Sequence, residues 1–192
     1  MIAWLSYWYL KVQALTLLVF NQRRAALAKF DQMLVLRPGE RYALASRAHV
    51  LAEEGDKHGA IDALQQLTAR HPDNAAAWFN LAFILEETGR HAEAEPAFRR
   101  ALDVEPKMDR AWYGLALILI RERRFDEAVE ALKKNTELQP MSPFGWYQLA
   151  RVHVDRQDPD EAVKVIRHLK RFEPKVAAQL ERETGLSVAQ SS

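Results

Sequence analysis

Cysteine is absent from the 192-residue chain, which excludes disulfides, thiolate metal sites and a cysteine nucleophile. Glycine (7) and proline (8) are scarce and no low-complexity tract occurs, so a disordered or collagen-like chain is not expected. Neither sign of charge dominates. The 27 Lys+Arg against 26 Asp+Glu leave +1, without a basic nucleic-acid arm or an acidic tail. A Gly-rich phosphate loop, G-x-S-x-G and HExxH are all missing. His49, His58, His71, His91, His153 and His168 show no paired i, i+4 ligand spacing. Acidic pairs such as Glu86-Glu87 and Asp126-Glu127 read as solvated helix ends. With no catalytic constellation in view, the expectation is a non-enzyme with no cofactor, metal, nucleic-acid ligand or small-molecule substrate. What the chain does have is apolar residues, 48% of the total, enough for a substantial core.

Those residues recur on a fixed clock. Pro38, Pro72, Pro106, Pro140 and Pro174 follow one another at intervals of 34, as do Trp78, Trp112 and Trp146. One alanine column holds Ala14, Ala48, Ala82, Ala116 and Ala150, and a second holds Ala26, Ala60, Ala94, Ala128 and Ala162. Within one period, Trp78, Leu81, Ala82 and Leu85 lie at i, i+3, i+4, i+7, one face of a helix. After the breaker Thr88-Gly89, Ala94, Phe98 and Ala101 form a second apolar stripe. An alanine on each stripe lets two antiparallel helices approach closely while Trp and Phe fill the space beside them. The proline then ends the second helix and turns the chain into the next period. Ser142-Pro143 and Asp158-Pro159 read as N-cap and first helical position. A single hairpin cannot cover its own apolar faces, so the hairpins must stack.

Trp78, Leu81, Ala82, Leu85, Ala94, Phe98 and Pro106 resemble the tetratricopeptide repeat signature, W-x2-L-G-x2-Y, then A-x3-F, then P. The match continues through Trp112, Leu115, Ala116, Leu119, Ala128, Leu132 and Pro140, and through Trp146, Leu149, Ala150, His153, Ala162, Ile166 and Pro174. Two earlier periods are weaker, with Arg47 and Gln13 where the signature has leucine. The resemblance implies an all-α, right-handed α-solenoid of about five 34-residue helix-turn-helix repeats, at 7–40, 41–74, 75–108, 109–142 and 143–176. Residues 1–6 would extend the first helix, a capping helix would cover 177–185 up to Gly185, and 186–192 would form a flexible tail.

The family binds ligands in a concave groove lined by the first helix of each pair. Carried across, those positions give Tyr42, Ala45, Ser46 and His49, then Phe79, Asn80 and Phe83, then Arg110, Tyr113, Gly114 and Leu117, and finally Phe144, Tyr147, Gln148 and Arg151. Aromatic rings at successive repeats suit an extended peptide or a partner helix, although some could pack between helices instead. One subtype grips a terminal carboxylate. Asn80 and Arg110 occupy two of its positions, but Ala45, His49 and Gly114 stand where other donors are needed, so an internal segment or folded surface is the expected ligand. The implied function is a protein-interaction scaffold or adaptor.

The first twenty residues are the least ordinary. Only Ser6, Lys11, Gln13 and Thr16 are polar, and Ile2, Trp4, Leu5, Trp8, Tyr9, Val12 and Val19 form an apolar surface beyond what a first repeat needs. Such a surface serves a protein partner, a second copy or a membrane complex. Residues 1–20 could instead cross a bilayer once, followed by Arg23-Arg24, with the repeats in the cytoplasm; Lys11 and Gln13 make that insertion marginal. A cleaved signal peptide fits poorly, because no basic residue precedes the apolar run. A cytoplasmic location is expected, at the inner face of a membrane under that alternative. Lys164, Arg167, Lys170 and Arg171 form a basic stripe that reads as a solvated face, or as a site for an acidic partner or anionic lipid.

Overall fold

The computed structural model describes residues 2–187, with side chains from Trp4 onward; among them lie eleven α-helices and no strand. They form two compact units. The first, Met1–Val104, contains α1 (Ile2–Val19), α2 (Arg23–Leu36), α3 (Arg41–Glu53), α4 (Lys57–Arg70), α5 (Ala75–Glu87) and α6 (His91–Val104). The second, Glu105–Ser192, contains α7 (Asp109–Arg121), α8 (Phe125–Leu138), α9 (Pro143–Asp155), α10 (Pro159–Lys170) and α11 (Pro174–Thr184). The expected tail lies outside the described residues from 188 onward.

Within each unit, consecutive helices pack as hairpins, and the second helix of one hairpin packs on the first helix of the next. The alanine columns are the contact points. Ala14, Ala48, Ala82, Ala116 and Ala150 are at most 2% exposed, and Ala26, Ala60, Ala94, Ala128 and Ala162 are fully buried. A side chain of one carbon at each contact is what lets the backbones approach. Phe30, Leu64, Phe98, Leu132 and Ile166, 0–3% exposed, fill the volume beside them.

The tryptophans depart from a simple core role. Trp78, Trp112 and Trp146 are only half-buried. Each indole Nε1–H donates to the carbonyl of the proline six residues earlier: Pro72 at 3.0 Å, Pro106 at 2.9 Å and Pro140 at 2.8 Å. The proline and tryptophan columns are thus one device, a side-chain tie that fixes the chain's entry into each first helix.

The turns inside the hairpins also repeat. Asn21, Gly55, Gly89, Arg123 and Gln157, again 34 apart, all have φ between +56° and +83°. The next residue's N–H closes onto the carbonyl five positions back, as in Gln22 to Leu17, Asp56 to Leu51, Arg90 to Leu85, Arg124 to Leu119 and Asp158 to His153, all at 2.8–2.9 Å. This is the Schellman closure. Only two of the five carry the glycine that the left-handed backbone favours, so the turn is imposed by hairpin packing as much as by local preference. At the other helix ends, Glu40, Asp56, Asn74 and Asp158 accept from the N–H three residues on. Ser142 holds its N-cap position without that bond, and Gly185 ends α11 at φ 70°.

Candidate functional site

In the first unit a cleft of about 380 Å³ opens between α3 and α5. Leu64 and Leu67 of α4, at 3% and 1% exposure, form its floor. Its walls are mostly alanine: Ala45, Ala48, Ala52, Ala76 and Ala77. These side chains are too short to reach across the floor between α3 and α5, so a concave space remains. Phe83 stands at the edge with 48% of its surface exposed, and His49 and Asn80 supply polar groups. Three residues expected to line a groove, His49, Asn80 and Phe83, are therefore brought to one place, together with Ala45.

The charges at the rim are internally balanced. Glu53 accepts from Arg23 at 3.1 Å and lies 3.5 Å from His49 Nε2, while Glu87 pairs with Lys57 at 3.2 Å. The Asn74 side chain faces inward to cap α5 through Ala77 N–H at 3.1 Å. The cleft therefore offers an apolar floor with a mixed polar rim and no concentrated charge.

The other aromatic candidates have partners of their own. Phe79 is half-buried, its ring 6.3 Å from Phe83 and 6.0 Å from the buried Phe98. It backs Phe83 rather than standing alone in a groove. Tyr42 packs edge-on against Phe30 at 6.3 Å and carries the Lys11 ammonium 3.9 Å from its ring centre, so it belongs to the first core cluster.

In the second unit, Arg110 and Tyr113 lie on α7, and Phe144, Tyr147, Gln148 and Arg151 lie on α9. Phe144 is 68% exposed and Tyr113 half-buried. Tyr147 donates its hydroxyl to Glu183 of α11 at 2.6 Å, and Arg151 reaches the same carboxylate at 3.2 Å. This hydrogen bond raises the Tyr147 phenol above its ordinary pKa and lowers Glu183 below the usual carboxylate value. The C-terminal helix thus occupies Tyr147 and Arg151, which sequence alone assigned to a ligand. Within the basic stripe, Lys164 pairs with Glu161, and Lys170 with Glu181 of α11 at 3.1 Å.

The first helix buries one side only. Tyr7 and Ala14 join Phe30, Met33, Ala43 and Val50 in a core cluster, with Leu10, Leu17 and Leu18 packed against it. Burial, with the Glu40 carboxylate nearby, pushes the Tyr7 phenol far above its ordinary value. On the opposite side Trp4, Leu5, Trp8, Tyr9, Val12 and Val19 are exposed, joined by Leu15 and by Phe20 just beyond the helix. The last two were missed in the sequence, although their 100° helical positions place Leu15 between Trp4 and Trp8. The side chain of Ile2 lies outside the described residues.

The reading of residues 1–20 as a membrane span finds no support among the described residues. No helix among the described residues is long and apolar enough to cross a membrane. Lys11 and Gln13 interrupt the apolar run, and Tyr7 and Ala14 are already committed to a protein core.

The tetratricopeptide repeat model matches residues 45–103 and 84–143, just over half of the 192 residues, and the chain belongs to the tetratricopeptide repeat family, a scaffold fold of the protein-interaction type. Among solved structures it is similar to MamA, with 18% identity and a TM-score of 0.82 over 96% of this chain and 98% of that one. It is also similar to YrrB, a tetratricopeptide repeat protein with an unusual peptide-binding site (19% identity, TM-score 0.77, 88% of each chain). A tetratricopeptide repeat protein from Parabacteroides merdae ATCC 43184 shares 18% identity at a TM-score of 0.80, over 94% of this chain and 74% of that one. At these identities the likeness establishes the fold. No curated protein matches the sequence.

Proposed function

We propose that this protein is a non-catalytic interaction module that holds an internal segment of a partner protein in the cleft between α3 and α5, with the outer face of α1 as a second docking surface. The observation that carries the first part is the alanine-walled cleft of about 380 Å³ over Leu64 and Leu67, with Phe83 exposed at its edge. That volume lies at the lower end of the range for pockets that hold specific ligands, enough for one or two large apolar side chains. His49 and Asn80 can fix the backbone of an extended segment by hydrogen bonds. The peptide-binding site of the similar YrrB fold supports a peptide ligand. A terminal carboxylate is disfavoured, since the cations at the rim, Arg23 and Lys57, already serve Glu53 and Glu87.

Peptides selected from a random display library on the immobilised protein provide the test. Phe83→Ala should weaken the selected peptides by about tenfold, the cost of losing most of one buried ring. Ala45→Trp should fill the cleft and abolish binding. Circular dichroism should report unchanged helix content for both. Unchanged affinity in the two variants would move the site out of the cleft.

A further inference from the structure

The exposed face of α1 has an internal order that a general sticky patch would not have. Leu5, Trp8, Val12, Leu15 and Val19 are spaced 3, 4, 3 and 4 residues apart, and each is exposed by 43–81%. Alternation of 3 and 4 is the spacing of a helix that packs along its length against another helix. The stripe also reads nearly the same from either end. Taken about Val12, an antiparallel partner sets Leu5 opposite residue 19 and Trp8 opposite residues 15 and 16. A self-complementary patch of this kind is what an isologous twofold contact requires.

We infer that α1 pairs antiparallel with α1 of a second copy of this chain, about a twofold axis passing close to Val12. The inference rests on reading the outer face of α1 as a docking surface and names its occupant. The area is adequate. Four aromatic and four aliphatic side chains, each offering on the order of 100 Å², supply about the 800 Å² per partner of a standard interface. Thr16 and Lys11, which flank the stripe, are already engaged within the chain. Thr16 lies between Val12 and Phe20, and its hydroxyl donates to the Val12 carbonyl at 3.0 Å. Lys11 at the margin is held over two rings, 3.9 Å from that of Tyr42 and 4.9 Å from that of Trp8. Arg23, beyond the end of α1, is engaged by Glu53 and Glu54. These cations are turned to their own chain, which favours a neutral helical partner over an anionic lipid surface.

Light scattering on the full chain should give twice the 22.1 kDa monomer mass, and Val12→Glu should bring it down to one. Two carboxylates would then face each other across the axis. Mixing Val12→Glu with Val12→Lys should restore the doubled mass, which mere loss of folding would not do. The absence of cysteine permits a second, geometric test. Val12→Cys should oxidise to a linked pair, whereas Leu5→Cys should link to Val19→Cys in a mixture and not to itself. A monomeric mass at about 100 µM overturns the inference, as does efficient self-linking of Leu5→Cys, which would mean a parallel pair. So does a monomer that binds phosphatidylglycerol vesicles, an outcome that would keep the α1 face as a docking surface and assign it to lipid.

Discussion

Asn135 and Gly145 show how a single residue can break the repeat rule and be accommodated. The register places Met33, Leu67, Ala101 and Leu169 in the column where α8 carries Asn135, and Ala43, Ala77 and Ala111 in the column where α9 carries Gly145. Asn135 is buried, and its Nδ2 donates to the Asp109 carbonyl at 2.9 Å. A Cβ on Gly145 would run into Asn135 Oδ1. The glycine therefore exists to make room for a polar side chain anchored in the core. Gly145→Ala should cost about 1–3 kcal/mol in urea unfolding, because the tethered amide cannot move aside freely. Adding Asn135→Ala should make the double variant less destabilised than the sum of the two singles. Additive losses would show that the two residues are not coupled.

His153 is a second departure, standing where the family signature has tyrosine. It is 5% exposed, and Nδ1 has no hydrogen-bond partner among the described residues. Burial holds its pKa below the ordinary 6.5, against the opposing pull of Asp158. The folded chain therefore disfavours the charged imidazole relative to the unfolded chain. Below about pH 6.5 the unfolded chain takes up a proton that the folded chain resists, so stability is fully present above that value and falls as pH drops. The urea midpoint should fall between about pH 7.5 and about pH 5, and His153→Phe should flatten that fall. An equal slope in the variant would place the titrating group elsewhere.

At the scale of elements, the hairpins were legible because two separate signals share one period: small residues at the contacts and prolines at the exits. Pro38, Pro72, Pro106 and Pro140 lie between helices as expected, but Pro174 opens α11 as its first residue. Proline fits that position for the same reason that it ends helices: it has no N–H to place in an intrahelical bond. Helix α11 does more than shield a terminal face. Ala177 and Leu180 are fully buried, while Glu183 reaches across to Tyr147 and Arg151 of α9. Leu180→Ala should cost about 2–4 kcal/mol. Tyr147→Phe should change stability by less than about 1 kcal/mol, because an exposed charged hydrogen bond competes with water. Equal losses would make the polar contact, and not the apolar one, the anchor of this helix. The capping helix was legible in the chain, but the contacts of Glu183 were not, since Tyr147 and Arg151 lie more than thirty positions away and off its repeat register.

At the scale of the molecule, the candidate surfaces were legible in kind and only in part in detail. His49, Asn80 and Phe83 were picked out by position along their helices and do converge on the cleft. Glu53 and Glu87 were not, because their relevance depends on the distance between α3 and α5, which only the packing of the hairpins sets. Since those carboxylates are already paired, affinity for selected peptides should be nearly independent of ionic strength. A steep loss with added salt would mean that Glu53 and Glu87 bind the ligand directly.

The one-dimensional pattern determined the helices, their pairing into hairpins and the apolar excess of the first twenty residues. Each of these follows from side-chain size and polarity at a fixed spacing. Tertiary packing decided which groove residues remain available and which are taken up inside the chain. It engaged Tyr42 and Lys11 in the first hairpins and tied Tyr147 and Arg151 to α11, while leaving Phe83 at an open cleft. The physical reason is that periodicity fixes the direction in which a side chain leaves its helix, whereas what it meets there depends on the distance to the neighbouring helix.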